Sequence, residues 1–439
     1  MTWLARPRNG NIRGLFLRYS RPLVPGRRAA TSAEKGLALT QGSSMPIAES
    51  PFLLLSNERD DHVSAANGFA AVSARVRKVL ANLRSQQPKV DDGPIHCALL
   101  SDLEDGSLRG IIGVPARGCS YARTEWGGCA ICGHSSSTLW KSNISDDSII
   151  SDVRSSLEKL SPARPAVLCL YTSGSFFDDT DLPSRVRLAL LDQIAHLPWV
   201  TQIVVESLPQ FITPTALSEA RMHLGTIALS IGMGLDSADQ FVRSLCFQRH
   251  IKDEVYVYAT GLCHARGVRT TAYVVHGPPF LTAEEAVADT SCSIHSALTV
   301  LGFDAVSIEP VALQAGTLQH LLRTAGHYEC PTFWSLVSAS HQYVRLCGTA
   351  DAASSDLRVG GQVFTPLPIA TLRSCTKCLR RSAGDLFPLQ AKIFRGAPLS
   401  SRHSTACGSP GLTRSVPYHP NRLLMRIESL LGDCLDVRT

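Results

Sequence analysis

Three cysteines of the chain stand in an unusual spacing. In the stretch running from Gly118 to Gly133, Cys119, Cys129 and Cys132 form a C-x9-C-x2-C pattern. Three thiolates brought together can hold three irons of a 4Fe–4S cluster and leave the fourth iron open. An open iron can take a small molecule that chelates through an amino and a carboxylate group, and S-adenosylmethionine (SAM) is the candidate. Glycines at 118, 127, 128 and 133 suit a loop that wraps closely round such a group. The loop alone leaves other chemistry open. A C-x-x-C pair also occurs in redox dithiols and zinc knuckles. Zinc usually takes four ligands, often as two pairs, and here only His134 lies near enough in sequence to complete a set.

A second pair, Cys375 and Cys378, follows in a polar stretch. It suits half of an auxiliary cluster or a zinc site, with Cys347, Cys330 or Cys407 as further ligands. Cys97, Cys169, Cys246, Cys263, Cys292 and Cys434 read as small buried apolar residues.

The elements that must position the loop show in the alternation of the chain. Short apolar, β-branched runs occur at 109–115, 166–171, 202–205, 226–231, 270–275 and 305–308. Helical stretches lie between several of them. Residues 145–160 open Ser-Asp-Asp, 183–197 open with proline, and 282–301 open Thr-Ala-Glu-Glu as a capping box. Helices are also expected at 65–83, 314–326 and 330–350. Six β/α units in a row predict an α/β fold, a partial (β/α)6 TIM-type barrel with a helical lead-in and a small irregular C-terminal region.

Such barrels carry their chemistry at the C-terminal ends of the strands. Cys119 follows the first strand, Thr172, Ser173, Gly174 and Ser175 the second, and Glu206 and Ser207 the third. Gly232 and Gly234 end the fourth, His276 the fifth and Glu309 the sixth. His276 is expected to face the barrel mouth, and Glu309 to touch substrate. Asp178 and Asp179 suit either a cationic or hydroxylated substrate or a helix cap. His96, His250 and His264 read as surface or packing residues.

Composition bounds the rest. The 439 residues are 44% hydrophobic and 18% charged, which describes a globular chain. No apolar run reaches the roughly 18 residues that span a bilayer. Fourteen cysteines without a regular framework fit a reducing, cytoplasmic compartment rather than a disulfide scaffold. The net charge of +6 is carried by residues 1–44, where eight Lys/Arg face one acid, so the other 395 residues sum to about −1. The body therefore has no bulk attraction for nucleic acid. The basic leader has the composition of a transit peptide, but reads more simply as a basic arm or as sequence upstream of a start at Met45. The expected organisation is an arm over 1–54, a helical lead-in over 55–108, the barrel over 109–330 and a C-terminal region over 331–439.

The order of these residues resembles the radical SAM superfamily, and within it the radical SAM subunit of archaeosine synthase, with kinship to the elongator-type proteins. The matching stretches are collinear over about 95–380. They are Gly-Cys-Ser-Tyr-Ala-Arg at 118–123, Gly-Gly-Cys-Ala-Ile-Cys-Gly at 127–133 and Tyr-Thr-Ser-Gly-Ser-Phe-Phe-Asp-Asp at 171–179. Further matches are Val-Glu-Ser-Leu-Pro-Gln-Phe at 205–211, Pro-Pro-Phe-Leu-Thr-Ala-Glu-Glu-Ala at 278–286 and Gly-Thr-Leu at 316–318.

The resemblance implies that Cys119, Cys129 and Cys132 ligate a 4Fe–4S cluster and that Ile131 packs near the SAM adenine. It implies that Thr172 to Ser175 hold the methionine amino group and that Glu206 and Ser207 face the ribose or methionine end. The implied activity is reductive cleavage of SAM to a 5′-deoxyadenosyl radical, fed by an external flavodoxin- or ferredoxin-type donor.

One departure from the family pattern lies in the cysteine loop, where the family has a shorter gap between the first two cysteines than Cys119 to Cys129, and the others fall in the substrate half. The family's Gly-Leu-Glu stands here as Gly234-Leu235-Asp236, and residues 245–250 do not match its Asn-Lys-Gly. With the near-neutral body, this favours a small nucleoside-like substrate over transfer RNA. The outcome would be carbon–nitrogen cleavage or sulfur insertion from a second cluster. An archaeosine-synthase-like enzyme acting on transfer RNA is the nearer alternative, and a non-catalytic zinc-stabilised binding protein the more distant one.

Overall fold

A computed structural model of the chain describes residues 59–86, 98–102, 107–133, 140–311, 313–347, 356–359 and 415–436. The basic arm, His96, His134 and the Cys375/Cys378 pair lie outside the described residues. Among the described residues, eight strands form one sheet in strict chain order. They are β1 (Ala98–Asp102), β2 (Leu108–Gly113), β3 (Val167–Tyr171), β4 (Gln202–Glu206), β5 (Ala228–Asp236), β6 (Arg269–His276), β7 (Ala305–Pro310) and β8 (Asp356–Val359). β1 pairs antiparallel with β2, and every later pair is parallel.

Strictly sequential parallel strands with right-handed crossovers put every connecting helix on one face, so the sheet curls with the helices outside. The result is a partial TIM-type barrel. All six expected strands are present. Two more extend the sheet from segments read as lead-in and as irregular tail.

The helices are α1 (Arg59–Ser85), α2 (Asp146–Leu160), α3 (Ser184–Ala195), α4 (Pro214–Leu224), α5 (Gln240–Cys246), α6 (Asp253–His264), α7 (Ala283–Thr299), α8 (Leu318–Thr324), α9 (Phe333–Cys347) and α10 (Pro420–Asp436). The expected caps form. Ser145 accepts from the Ser148 N–H, and Thr282 and Glu285 close a capping box. The sequence pattern did not mark α4, α5 and α6, which are short and carry weak amphipathic periodicity.

Strand alternation divides the side chains into two sets. Ile112, Leu168, Leu170, Ile203, Val205, Ile231, Val274, Val306 and Ile308 join the helices in the main core. The alternate positions face inward, where Ile111, Cys169, Tyr171 and Val204 form a separate small cluster. The same alternation puts Glu206, Gly232, Tyr273, Ser307 and Glu309 on the inner face. The outer face is thus oily, and the inner face becomes polar toward the strands' C-terminal ends. A third cluster joins the two ends of the described chain. Leu423, Ile427 and Leu431 of α10 pack with Val72, Val76 and Leu80 of α1, and the same cluster takes in Ala130 of the cysteine loop.

Candidate functional site

The cysteine loop leaves β2 and is tied down from several directions. Gly118 has φ 95°, and a Cβ there would come 2.0 Å from the Trp140 ring, so only glycine lets the chain turn into Cys119. Gly128 has φ 84°, and its Cβ would meet the Ala122 backbone at 2.9 Å. The Ala130 N–H donates to Phe247 O at 2.8 Å, and the Leu318 N–H donates to Ala130 O at 3.0 Å. Arg84 of α1 donates to Cys129 O at 2.8 Å, and the Gly133 N–H donates to Gln314 Oε1 at 2.6 Å. The Tyr121 hydroxyl donates to Gln248 O at 2.7 Å and accepts from the His250 N–H at 2.9 Å. A loop anchored this often to distant elements is held in shape by the fold, not by its own local structure.

None of the three cysteines is in a disulfide, and each is half-buried. They share one electrostatic neighbourhood, since the charges of Cys132 and Cys119 both act on Cys129, and that of Cys132 acts on Cys119. Burial pushes the Cys129 thiol up to about 12, against the pull of the Arg249 guanidinium. Burial also raises Cys119, opposed by the Ala122 N–H. Among the described residues, however, no three His, Cys, Asp or Glu side chains close to the spacing that a metal ion requires. The donor chemistry fits an iron–sulfur cluster. Thiols kept protonated by burial are ionised when a cation replaces their protons.

The Thr172–Ser175 turn lies directly against this loop. A Cβ on Gly174 would come 2.8 Å from Cys119 Cα. Thr172, Ser173 and Ser175 are buried. The Ser175 hydroxyl accepts from the Leu208 N–H at 3.1 Å, while the buried Ser173 hydroxyl makes no hydrogen bond among the described residues. Ser207 is also buried, and its N–H donates to Gly232 O at 3.0 Å. Ile131 packs at the edge of the α1–α10 cluster.

Two residues beside the loop carry no motif of their own. Arg249, in a segment that departs from the family pattern, is buried and pairs with Asp236 at 2.5 Å. Its Nη1 is buried without a partner among the described residues. Its approach depends on Gly234, where a Cβ would come 3.0 Å from Nη2. Asp181 is wholly buried and accepts from the Gly118 and Ser175 N–H groups at 2.8 and 2.9 Å. The glycines at 232 and 234 were the available signal, because glycine inside a central strand marks close approach by another group. The Ser173 hydroxyl and Arg249 Nη1 are buried donors without a partner among the described residues, atoms of the kind that a bound ligand can satisfy.

Glu309 stands on the inner face, where the Ser307 hydroxyl donates to its Oε1 at 2.6 Å. Burial pushes its carboxyl up to about 7, opposed by the Ser307 hydroxyl and reinforced by the charge of Glu206. A Cβ on Gly232 would come 2.3 Å from the Tyr273 hydroxyl, so that glycine lets Tyr273 lie across the same wall.

His276 corrects the sequence-based expectation. It points outward rather than into the mouth. Its Nδ1 meets Thr290 Oγ1 at 2.8 Å on α7, and its Nε2 meets Ser335 Oγ at 2.9 Å on α9. Burial lowers its pKa to about 4, so it is a neutral packing residue. Asp178 and Asp179 also serve the fold. Asp178 accepts from the Thr180 N–H at 2.9 Å, and Asp179 pairs with Arg187 at 3.0 Å. His250 stacks on Trp126 with ring centroids 3.8 Å apart, and His264 meets Asp304 at 3.1 Å.

No family model matches the chain. It is 25% identical over 263 residues to the uncharacterized protein MJ0550 of Methanocaldococcus jannaschii, covering 58% of this chain and 71% of that one. It is 25% identical over 225 residues to archaeosine synthase subunit beta of Methanosarcina acetivorans, covering 51% and 64%, so it spans a little under two thirds of that relative. The corresponding subunit of Thermococcus kodakarensis is 26% identical over 225 residues. Among solved structures, Elp3 of Methanocaldococcus infernus superposes with a TM-score of 0.39 at 15% identity, covering 51% of this chain and 55% of that one. TsrM of Kitasatospora setae, a radical S-adenosylmethionine methyltransferase, superposes with a TM-score of 0.40 at 12% identity, covering 74% and 61%.

Proposed function

We propose that this radical SAM superfamily chain cleaves SAM reductively and directs the resulting radical at a small nucleoside-like substrate on the inner face of its barrel. One observation carries the reading: Cys119, Cys129 and Cys132, spread over a fourteen-residue loop, share one electrostatic neighbourhood beside the Thr172–Ser175 turn. The three thiolates would hold a 4Fe–4S cluster. When bound, the cluster and SAM together supply one-electron cleavage of the sulfonium and a carbon-centred radical.

The chain's own residues do the placing. The unpaired Ser173 hydroxyl suits the amino end of the methionine moiety, and the free Nη1 of Arg249 suits its carboxylate. Glu206 and Ser207 end the strand that would flank the ribose, and Ile131 would pack near the adenine. Glu309, its carboxyl held near neutral pKa, can donate or accept a proton at its free oxygen. An auxiliary cluster or zinc at Cys375 and Cys378, an external flavodoxin- or ferredoxin-type donor and a cytoplasmic location complete the proposal. No described helix is long and apolar enough to cross a membrane.

A second reading is archaeosine-synthase-like action on transfer RNA. The two relatives that bear that name favour it. The net charge of about −1 outside residues 1–44 favours the small substrate. Both readings predict that anaerobic reconstitution loads about four irons per chain, or about eight with a second cluster, and that dithionite plus SAM yields 5′-deoxyadenosine. A colourless chain with stoichiometric zinc would refute both. Fluorescence anisotropy with bulk transfer RNA at moderate salt separates them: tight binding by the folded chain supports the second.

A further inference from the structure

We propose that Asp181 is the positioning residue that keeps Cys119 in register with the Thr172–Ser175 turn, so that metal and methionine end are aligned by one side chain. The inference rests on the radical SAM reading above. It concerns a residue outside every stretch that carried the family resemblance.

The geometry is specific. Asp181 is fully buried, and its two oxygens are divided between two pieces of chain. Oδ1 accepts from the Gly118 N–H at 2.8 Å, immediately before the first cysteine. Oδ2 accepts from the Ser175 N–H at 2.9 Å and from the Thr172 hydroxyl at 3.4 Å, at both ends of the turn. The Asp181 carbonyl accepts from the Arg117 N–H at 3.0 Å. Arg123 adds a parallel tie, donating to Gly118 O at 2.9 Å and to Thr180 Oγ1 at 3.3 Å. Gly174 has no room for a side chain, since its Cβ would come 2.1 Å from Asp181 Oδ2 and 2.8 Å from Cys119 Cα.

Only a carboxylate serves here. Two N–H groups and a hydroxyl all donate, so an asparagine would turn one NH2 toward a backbone N–H. A charge-assisted acceptor is also stronger than a neutral one, which suits a clamp on backbone that must not drift. The nearby acids differ: Asp178 closes its own turn and Asp179 pairs with Arg187 on α3.

The test uses the full chain with Asp181→Asn and Asp181→Ala, read twice. In the metal-free chain, hydrogen exchange should quicken about tenfold or more at both the Gly118 and Ser175 amides in Asp181→Ala and at one of the two in Asp181→Asn, while the Leu170 amide in β3 keeps its rate. After reconstitution, the variants should hold parent-level iron but bind SAM about 10–100-fold more weakly. The SAM-induced change in the reduced-cluster EPR signal should be diminished. Unchanged exchange and unchanged SAM affinity would overturn the clamp. Loss of iron from a folded variant would overturn it too, because Asp181 would then support the ligand alone. Should Asp181→Ala fail to fold, the isosteric Asp181→Asn decides, and failure of that variant as well would make the residue a core element, not an aligner. A parent chain that loads no cluster sinks the underlying reading first, an outcome distinct from a SAM-binding parent matched by its variants.

Discussion

Strands β6 and β7 end side by side, with Val275 opposite Glu309 and His276 opposite Pro310. Each brings a titratable side chain to its C-terminal end, His276 buried and Glu309 half-buried, yet the two groups have opposite fates. His276 faces outward, and both its ring nitrogens are engaged by hydroxyls from α7 and α9. Glu309 faces inward, with one oxygen bound to Ser307 and the charge of Glu206 within reach. A buried polar group whose hydrogen-bonding capacity is used up locks helices onto a sheet. One that keeps spare capacity at the inner strand ends is available to a ligand. Being at a strand end does not make a residue functional; the face it occupies does.

The largest expected effect tests whether chemistry belongs to the inner strand ends at all. Cys129→Ala should abolish 5′-deoxyadenosine formation with dithionite and SAM, and retained cleavage would refute the ligand assignment. Next, Glu309→Gln should lower product formation by about 100-fold, the usual range for loss of a proton-transferring group, while leaving cleavage of SAM itself within a fewfold. Equal losses in both would place Glu309 in the SAM site and not with substrate.

His276→Leu should do the reverse. It strands the buried Thr290 hydroxyl and takes one partner from the Ser335 hydroxyl, which keeps Thr332, and should cost about 1–3 kcal/mol of stability, with turnover per loaded cluster nearly unchanged. Denaturant melts paired with iron-normalised rates would show this, and a selective loss of turnover would return His276 to the mechanism.

The smallest effect is in pH dependence, where the two groups should have opposite signs. His276 falls from 6.5 unfolded to about 4 folded, so the unfolded chain binds the extra proton between those values. Its contribution to stability is full above 6.5 and is lost as the pH drops toward 4. Glu309 rises from 4.5 to about 7, so the folded chain holds the extra proton. Its contribution is greatest below 4.5 and is lost as the pH climbs through 7. Melts from pH 4 to 8 should show the low-pH loss vanish in His276→Leu and the neutral-pH loss vanish in Glu309→Gln. Matching slopes in the two variants would contradict this assignment of faces.

The cysteine spacing, six parallel strands and the capping signals of α2 and α7 were legible in the sequence, because each is a pattern within a few consecutive residues. So was the placing of Thr172–Ser175 and Glu309 after their strands. The ties among these parts were not. Asp181 reaches back to Gly118, Arg249 approaches through the space left by Gly234, and α10 packs on α1. Apart from the strand glycine at 234, nothing near those residues in the chain announces such contacts. His276 shows the limit most sharply. Local chemistry put it at a strand end, but successive side chains on a strand alternate between faces, so a shift of one position exchanges barrel interior for helical packing. Residue types and their order settled which groups the protein owns; the curl of the sheet and the register of its strands, which depend on contacts between distant segments, decided which of those groups meet.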